Sequence, residues 1–153
     1  MADMTMTWEL GATGWVHVHV SDDGNEAKVL ASYLTNAPED LLNAVLSLFS
    51  GSSTARTYFE AEPTTYVWLF DRTGANVDIQ LVKLANSDEP DDAGTELWST
   101  TQTLNHLART VVGAFEVVAQ QHGDNGYLKK WCKPFPHAEL QALAEAQLNV
   151  RND

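Results

Sequence analysis

The sequence is poor in sulfur and in positive charge. A single cysteine, Cys132, stands among 153 residues, which excludes an intrachain disulfide and any multi-cysteine zinc site. Lysine and arginine together number 9 against 21 acids, a formal charge of -12. Direct binding of nucleic acid or of an anionic membrane is disfavoured, because phosphate contact needs a basic footprint. No apolar run approaches the ~20 residues that span a bilayer. The longest apolar pattern, Leu41 to Phe49, is broken by Asn43 and Ser47. There is no phosphate loop and no dinucleotide fingerprint. Gly51-Ser52-Ser53-Thr54 lacks the strand-turn-helix setting of a nucleophile elbow. Met1 to Leu10 carries Asp3 and Glu9 with neither a basic n-region nor an apolar h-region, so no signal peptide is expected. With one free thiol, the reading is a cytoplasmic protein.

What is present is enough apolar material for a core: 44% hydrophobic against 20% charged residues. The length fits a single domain over 1–153. Trp15-Val16-His17-Val18-His19-Val20 alternates strictly, with the valines on one face and Trp15, His17 and His19 on the other. Turn residues at 11–14 and 22–25 place shorter strands before it, around Thr7 to Leu10, and after it, over Lys28 to Leu34. The period then becomes helical over 38–50, with Pro38 at the first position and Glu39 and Asp40 in the first turn. Arg56 to Ala61, Thr65 to Phe70, 77–81 and Leu97 to Thr100 read as further strands, and 86–94 as an acidic loop. An amphipathic helix from Leu104 should end at Gly123, with a turn at Asp124-Asn125-Gly126. Trp131 and Phe135 should anchor a last helix opened by Pro136, with Leu140, Leu143, Ala144 and Leu148 inward. The expectation is an α+β fold: one antiparallel sheet of about five to six strands, with helices packed on one face.

Charge is unevenly divided. Residues 1–96 hold 16 of the acids and only Lys28, Arg56, Arg72 and Lys83 as bases. The whole net charge therefore lies in the sheet half, and a basic protein partner would be steered there. Arg56, Tyr58 and Glu60 share one strand face, and Glu62 is read as continuing it. Tyr and Trp are residues of binding hot spots. Trp68 and Phe70 read as core; Trp15 and Tyr58 read as more exposed. The expected partner-binding set is Trp15, His17, His19, Tyr58, Glu60 and Glu62, with Asp88, Glu89, Asp91 and Asp92 of the acidic loop.

Catalytic chemistry has little footing. His17 and His19 lie two apart on one strand face, within reach of one metal by spacing, but a site needs a third ligand, from Glu9 or Glu60. No metal and no cofactor is expected. Cys132 has His137 five residues on, but Trp131 and Phe135 beside it point to a packed thiol rather than a nucleophile. No catalytic residue is assigned.

Three stretches together carry a resemblance. They are Pro38-Glu39-Asp40-Leu41-Leu42; Phe59-Glu60-Ala61-Glu62-Pro63 running into Tyr66-Val67-Trp68-Leu69-Phe70; and Gly126-Tyr127 with Trp131 and Pro134-Phe135-Pro136. The chain resembles, over roughly 8–148, small acidic bacterial α+β proteins, some of which are classed as immunity proteins of polymorphic toxin systems. The resemblance implies a non-enzymatic protein that blocks a basic toxin or effector with acidic and aromatic side chains. Two other readings stand beside it: a chaperone-like adaptor for a secreted protein, and an enzyme or small-ligand-binding domain with a pocket between helices and sheet.

Overall fold

A computed structural model describes residues 3–152. The chain is α+β, with seven strands in two antiparallel sheets rather than one. Strands β1 (Met4–Leu10), β2 (Trp15–Asp22) and β3 (Asn25–Ser32) form a meander. Helix α1 (Ala37–Phe49) follows, then β4 (Thr54–Glu60), β5 (Thr65–Thr73), β6 (Asn76–Leu84) and β7 (Thr95–Thr103), paired in that order. Helices α2 (Leu104–Trp131) and α3 (His137–Asn152) complete the chain.

Local chemistry explains the turns. Between β2 and β3, Asp23 and Gly24 both take positive φ, 42° and 94°, as a two-residue turn matched to strand twist demands. The strands alternate, but alternation does not say which strands share a sheet. Here α1 intervenes between β3 and β4, and β4 spends its ladder on β5. The first strand also begins earlier than the sequence implied. Met4, Met6, Trp8 and Leu10 are all buried, with Thr5, Thr7 and Glu9 outward.

Both sheets send one face into a single core. The first contributes the β1 residues with Val16, Val18, Val20, Val29 and Ala31; the second contributes Phe59, Trp68, Phe70, Ile79, Leu81 and Trp98. Trp8 joins them. Its ring meets Phe59 edge-on at 5.6 Å and Phe115 of α2 at 4.7 Å. Leu41, Leu42, Val45 and Leu48 of α1 close the core, as their helical spacing required. Arg72 at the end of β5 donates to the carbonyl of Leu48 and so caps the last turn of α1, where a cation suits the helix dipole.

The helical half departs from expectation in three places. The helix from Leu104 does break at Gly123, which takes φ 66° and ψ 173°. Asp124-Asn125-Gly126, expected as a turn, instead begins a second helical stretch that runs to Trp131. Cys132, expected to be packed, is exposed and adopts φ 78° as the helix cap. Leu148, expected inward, is exposed, and the packing of α3 rests on Leu143 and Leu140.

The anchoring aromatics are where the sequence placed them. Trp131 is fully buried, and Phe135 lies edge-on to buried Tyr127 at 5.1 Å. Phe135→Ala should therefore cost about 3–5 kcal/mol in denaturant unfolding. Nearby, an oxygen of Glu39 is buried without a hydrogen-bond partner. Burial raises the Glu39 pKa above 4.5, with Glu139 and Asp40 adding to the rise while its backbone hydrogen bond and Lys133 oppose it. A carboxyl whose folded pKa is raised contributes stability below its unfolded pKa and loses it as pH rises through the folded value. Glu39→Gln should thus raise the melting temperature at pH 7, and the gain should vanish on acidification below the carboxylate range.

Candidate functional site

With both inner faces committed to the core, the outward faces remain. The outward face of the first sheet carries Glu9 and Thr7 on β1, Trp15, His17 and His19 on β2, and Lys28 on β3. His17 is exposed and lies over Gly11, where a Cβ would meet the imidazole at 2.9 Å. His19 Nε2 is 3.0 Å from Glu26 Oε2, and Trp15 is half-buried. Glu9 stands opposite His17 in the register. Among the described residues no group of three His, Cys, Asp or Glu side chains is placed to hold a metal ion.

The outward face of the second sheet is the more developed. Thr54, Arg56 and Tyr58 of β4 lie beside Asp71, Leu69 and Val67 of β5. Asp78, Gln80 and Val82 of β6 come next, then Thr101, Ser99 and Glu96 of β7. A depression of ≈ 790 Å³ runs across it, lined by Arg56, Leu69, Asp71, Asp78, Gln80 and Glu96 among others. Tyr58, at 39% exposure, stacks under the Arg56 guanidinium at 5.8 Å.

The acidic loop is part of this face and is not a free solvated segment. Arg56 grips Asp91 with two hydrogen bonds, Nε to Oδ2 at 2.8 Å and Nη2 to Oδ1 at 2.9 Å. Hydrogen bonding to Arg56 holds the Asp91 carboxyl below its ordinary value; burial opposes this, and the charge of Arg56 adds to the lowering. Glu89 accepts from the Ala85 N–H, and Asn86 accepts from the Asp88 N–H. Gly94 sits so close over Leu84 and Val82 that an added Cβ would lie 2.5 Å from each. The loop thereby covers the small apolar cluster of Val67, Val82 and Leu84 at one end of the face. Asp92 is exposed in the short helical turn Asp91–Ala93.

Glu60 and Glu62 do not share a strand face. β4 ends at Glu60, and Glu62 takes φ 50° in the following turn. Pro63 cannot continue a ladder, so the strand stops short of it. The Glu60 carboxylate accepts from the Glu62 N–H at 3.1 Å and from Thr65 Oγ1 at 3.3 Å, pinning that turn. The expected set is thus divided. Tyr58, Glu60 and the loop acids gather at the second sheet, and Trp15, His17 and His19 lie on the first.

The sequence reading missed three acids of this face: Asp71, Asp78 and Glu96. Asp71 and Asp78 stand directly opposite each other across the β5–β6 ladder. Asp78 accepts from Thr101 Oγ1 at 2.6 Å and Glu96 from Gln80 Nε2 at 2.9 Å, while among the described residues no ion pair involves either aspartate. The signal was there in the alternation of Val77, Ile79 and Leu81, which turns Asp78 outward; the pairing with Asp71 needed the register.

No family model matches the chain, and no curated protein matches it. Among solved structures, one similar chain belongs to the "CdiA-CT/CdiI toxin and immunity complex from Enterobacter cloacae". The two are 10% identical, with a TM-score of 0.45 over 76% of this chain and 99% of that one. No helix among the described residues is long and apolar enough to cross a membrane.

Like charges set directly opposite on a sheet destabilise it. Asp71→Asn should therefore stabilise the fold by about 0.2–1 kcal/mol in thermal unfolding at low salt, with the gain shrinking at high salt as the repulsion is screened.

Proposed function

We propose that the chain is a non-enzymatic, cytoplasmic binding protein of the immunity type, and that it blocks a basic toxin or effector by docking it on the outward face of the second sheet. The observation that carries this reading is the pair of opposed carboxylates Asp71 and Asp78 in a broad depression, with Glu96 on the same face. Arg56 also lines it, but its guanidinium is taken up by Asp91. A fold gains nothing for itself by setting two unneutralised carboxylates opposite each other. A lysine or arginine from a partner relieves that repulsion on binding and not before, which ties the charge to association. Tyr58 and Leu69 provide apolar surface around the acids, the composition of a hot spot ringed by polar groups.

The ionisable side chains elsewhere support a non-catalytic reading. His137 is hydrogen-bonded to Asp124 at 2.8 Å and not to Cys132. His19 is engaged by Glu26. A nucleophile needs an adjacent base held by a third group.

The partner captured from the native host tests the reading. Co-expression should neutralise its toxicity. Its association with the chain should slow as salt rises, while dissociation changes less. Asp71→Lys with Asp78→Lys should abolish protection and slow association, whereas Glu145→Lys on α3 should leave both unchanged. Loss of binding by the α3 variant alone, or an association rate indifferent to salt, would overturn the assigned face.

A further inference from the structure

β1 is an edge strand, and its pairing with β2 uses only alternate residues. The Gly11 N–H donates to the Trp15 carbonyl at 3.0 Å, closing the hairpin. Counting back along the register, Glu9–His17, Thr7–His19 and Thr5–Ser21 are the hydrogen-bonded pairs. The main-chain groups of Met4, Met6, Trp8 and Leu10 consequently point away from β2. Met4 bears this out. Its N–H reaches Gln102 Oε1 at 3.3 Å, and its carbonyl lies 3.3 Å from His106 Nε2. Among the described residues nothing takes the corresponding groups of Met6, Trp8 and Leu10.

That open edge forms one side of a second groove, also ≈ 790 Å³, whose other side is α2. Arg109, Gly113, Val117 and Gln121 line it at four-residue intervals, one stripe of the helix. Val117 is 49% exposed, and a Cβ added at Gly113 would meet nothing within 4 Å. The middle of the wall, at Gly113, Ala114 and Val117, is therefore apolar with room beside it, and Thr110, Gln121 and His122 flank it. α2 runs in the direction of β1. It starts near Met4, which His106 touches, and ends at the β1–β2 turn, where the Gly14 N–H donates to the Lys130 carbonyl at 2.7 Å. Arg109 thus sits toward one mouth of the groove and Lys130 toward the other. In a chain with net charge -12, this groove has a basic side chain at each end, with Glu9 also lining the Lys130 end.

We propose that the groove receives an extended segment of a partner protein, which adds to β1 as a fourth strand through the free groups of Met6, Trp8 and Leu10. Strand addition of this kind draws affinity from main-chain hydrogen bonds and specificity from alternate side chains. The fitting segment has short apolar side chains facing Gly113 and Val117 and acidic residues at both ends, for Arg109 and Lys130. A second copy of this chain is the poorer occupant. It brings another -12 of charge, and its own basic groove ends would face their equivalents.

The site is separate from the face proposed above, and one experiment keeps the two apart. The probe is a synthetic peptide of alternating valine and threonine, as long as β1, with paired aspartates at each end. With labelled full-length protein, peptide in the millimolar range should slow amide exchange of Met6, Trp8 and Leu10 about tenfold. The same peptide with lysine ends should bind about tenfold more weakly. Gly113→Phe, which fills the groove, should abolish protection, as should Val117→Glu at an exposed position that leaves the fold intact. Asp71→Lys with Asp78→Lys should leave peptide binding unchanged. No protection, equal protection by the lysine peptide, or protection without peptide that grows with protein concentration would overturn the proposal, the last by assigning the edge to self-pairing.

Discussion

The two sheets are held as one body by the ring of Trp8. It touches Phe59 on the second sheet and Phe115 on α2, and Phe59 in turn meets Trp68 at 5.7 Å. Aromatic contacts of this geometry add to the area they bury. The seam commits one face of every strand to the interior, and so decides what the outside can do. Once Trp68, Phe70, Ile79 and Leu81 face inward, period two turns Asp71, Asp78 and Gln80 outward with no further choice.

That constraint separates two kinds of surface. The second sheet presents acids and Tyr58 around a broad depression, fixed at one end by the Arg56–Asp91 pair and the loop it holds. The edge of the first sheet presents the main chain of Met6, Trp8 and Leu10, unpaired among the described residues, beside a helix with basic residues toward either end of the groove. The first is suited to side-chain recognition of a basic globular surface, the second to main-chain recognition of an extended one. Arg56 has a double part. Its guanidinium neutralises Asp91 and covers Tyr58, so it shapes the acidic face without supplying a free cation to it.

Much of the architecture was legible in the residues. The strict alternation of 15–20 fixed both the strand and its buried valines, and the switch of period at Pro38 fixed α1 within a residue or two at either end. Trp131 and Phe135 were readable as anchors because aromatics that large, flanking a helix break, rarely find solvent. The division into two sheets was not legible. Alternation is a property of one strand, whereas sheet membership depends on which edges meet after α1 has crossed. For the same reason Trp15 and Tyr58 could be assigned outward but not placed on different sheets. The opposition of Asp71 and Asp78 is a matter of register across a hairpin. The strand was read to end at Ala61, but Glu62 was still put on the face of Glu60 because Glu60-Ala61-Glu62 alternates in sequence, while the chain turns at Glu62, before Pro63.

The most direct test of the central claim is hydroxyl-radical footprinting of the chain alone and with its captured partner. Tyr58, on the acidic face of the second sheet, and Tyr33, whose ring lies against Gly14 in the β1–β2 turn of the first sheet, are comparably exposed at 39% and 46%. The proposed docking predicts that oxidation of Tyr58 falls sharply in the complex while that of Tyr33 is unchanged. Protection of Tyr33 with Tyr58 still oxidised would contradict it.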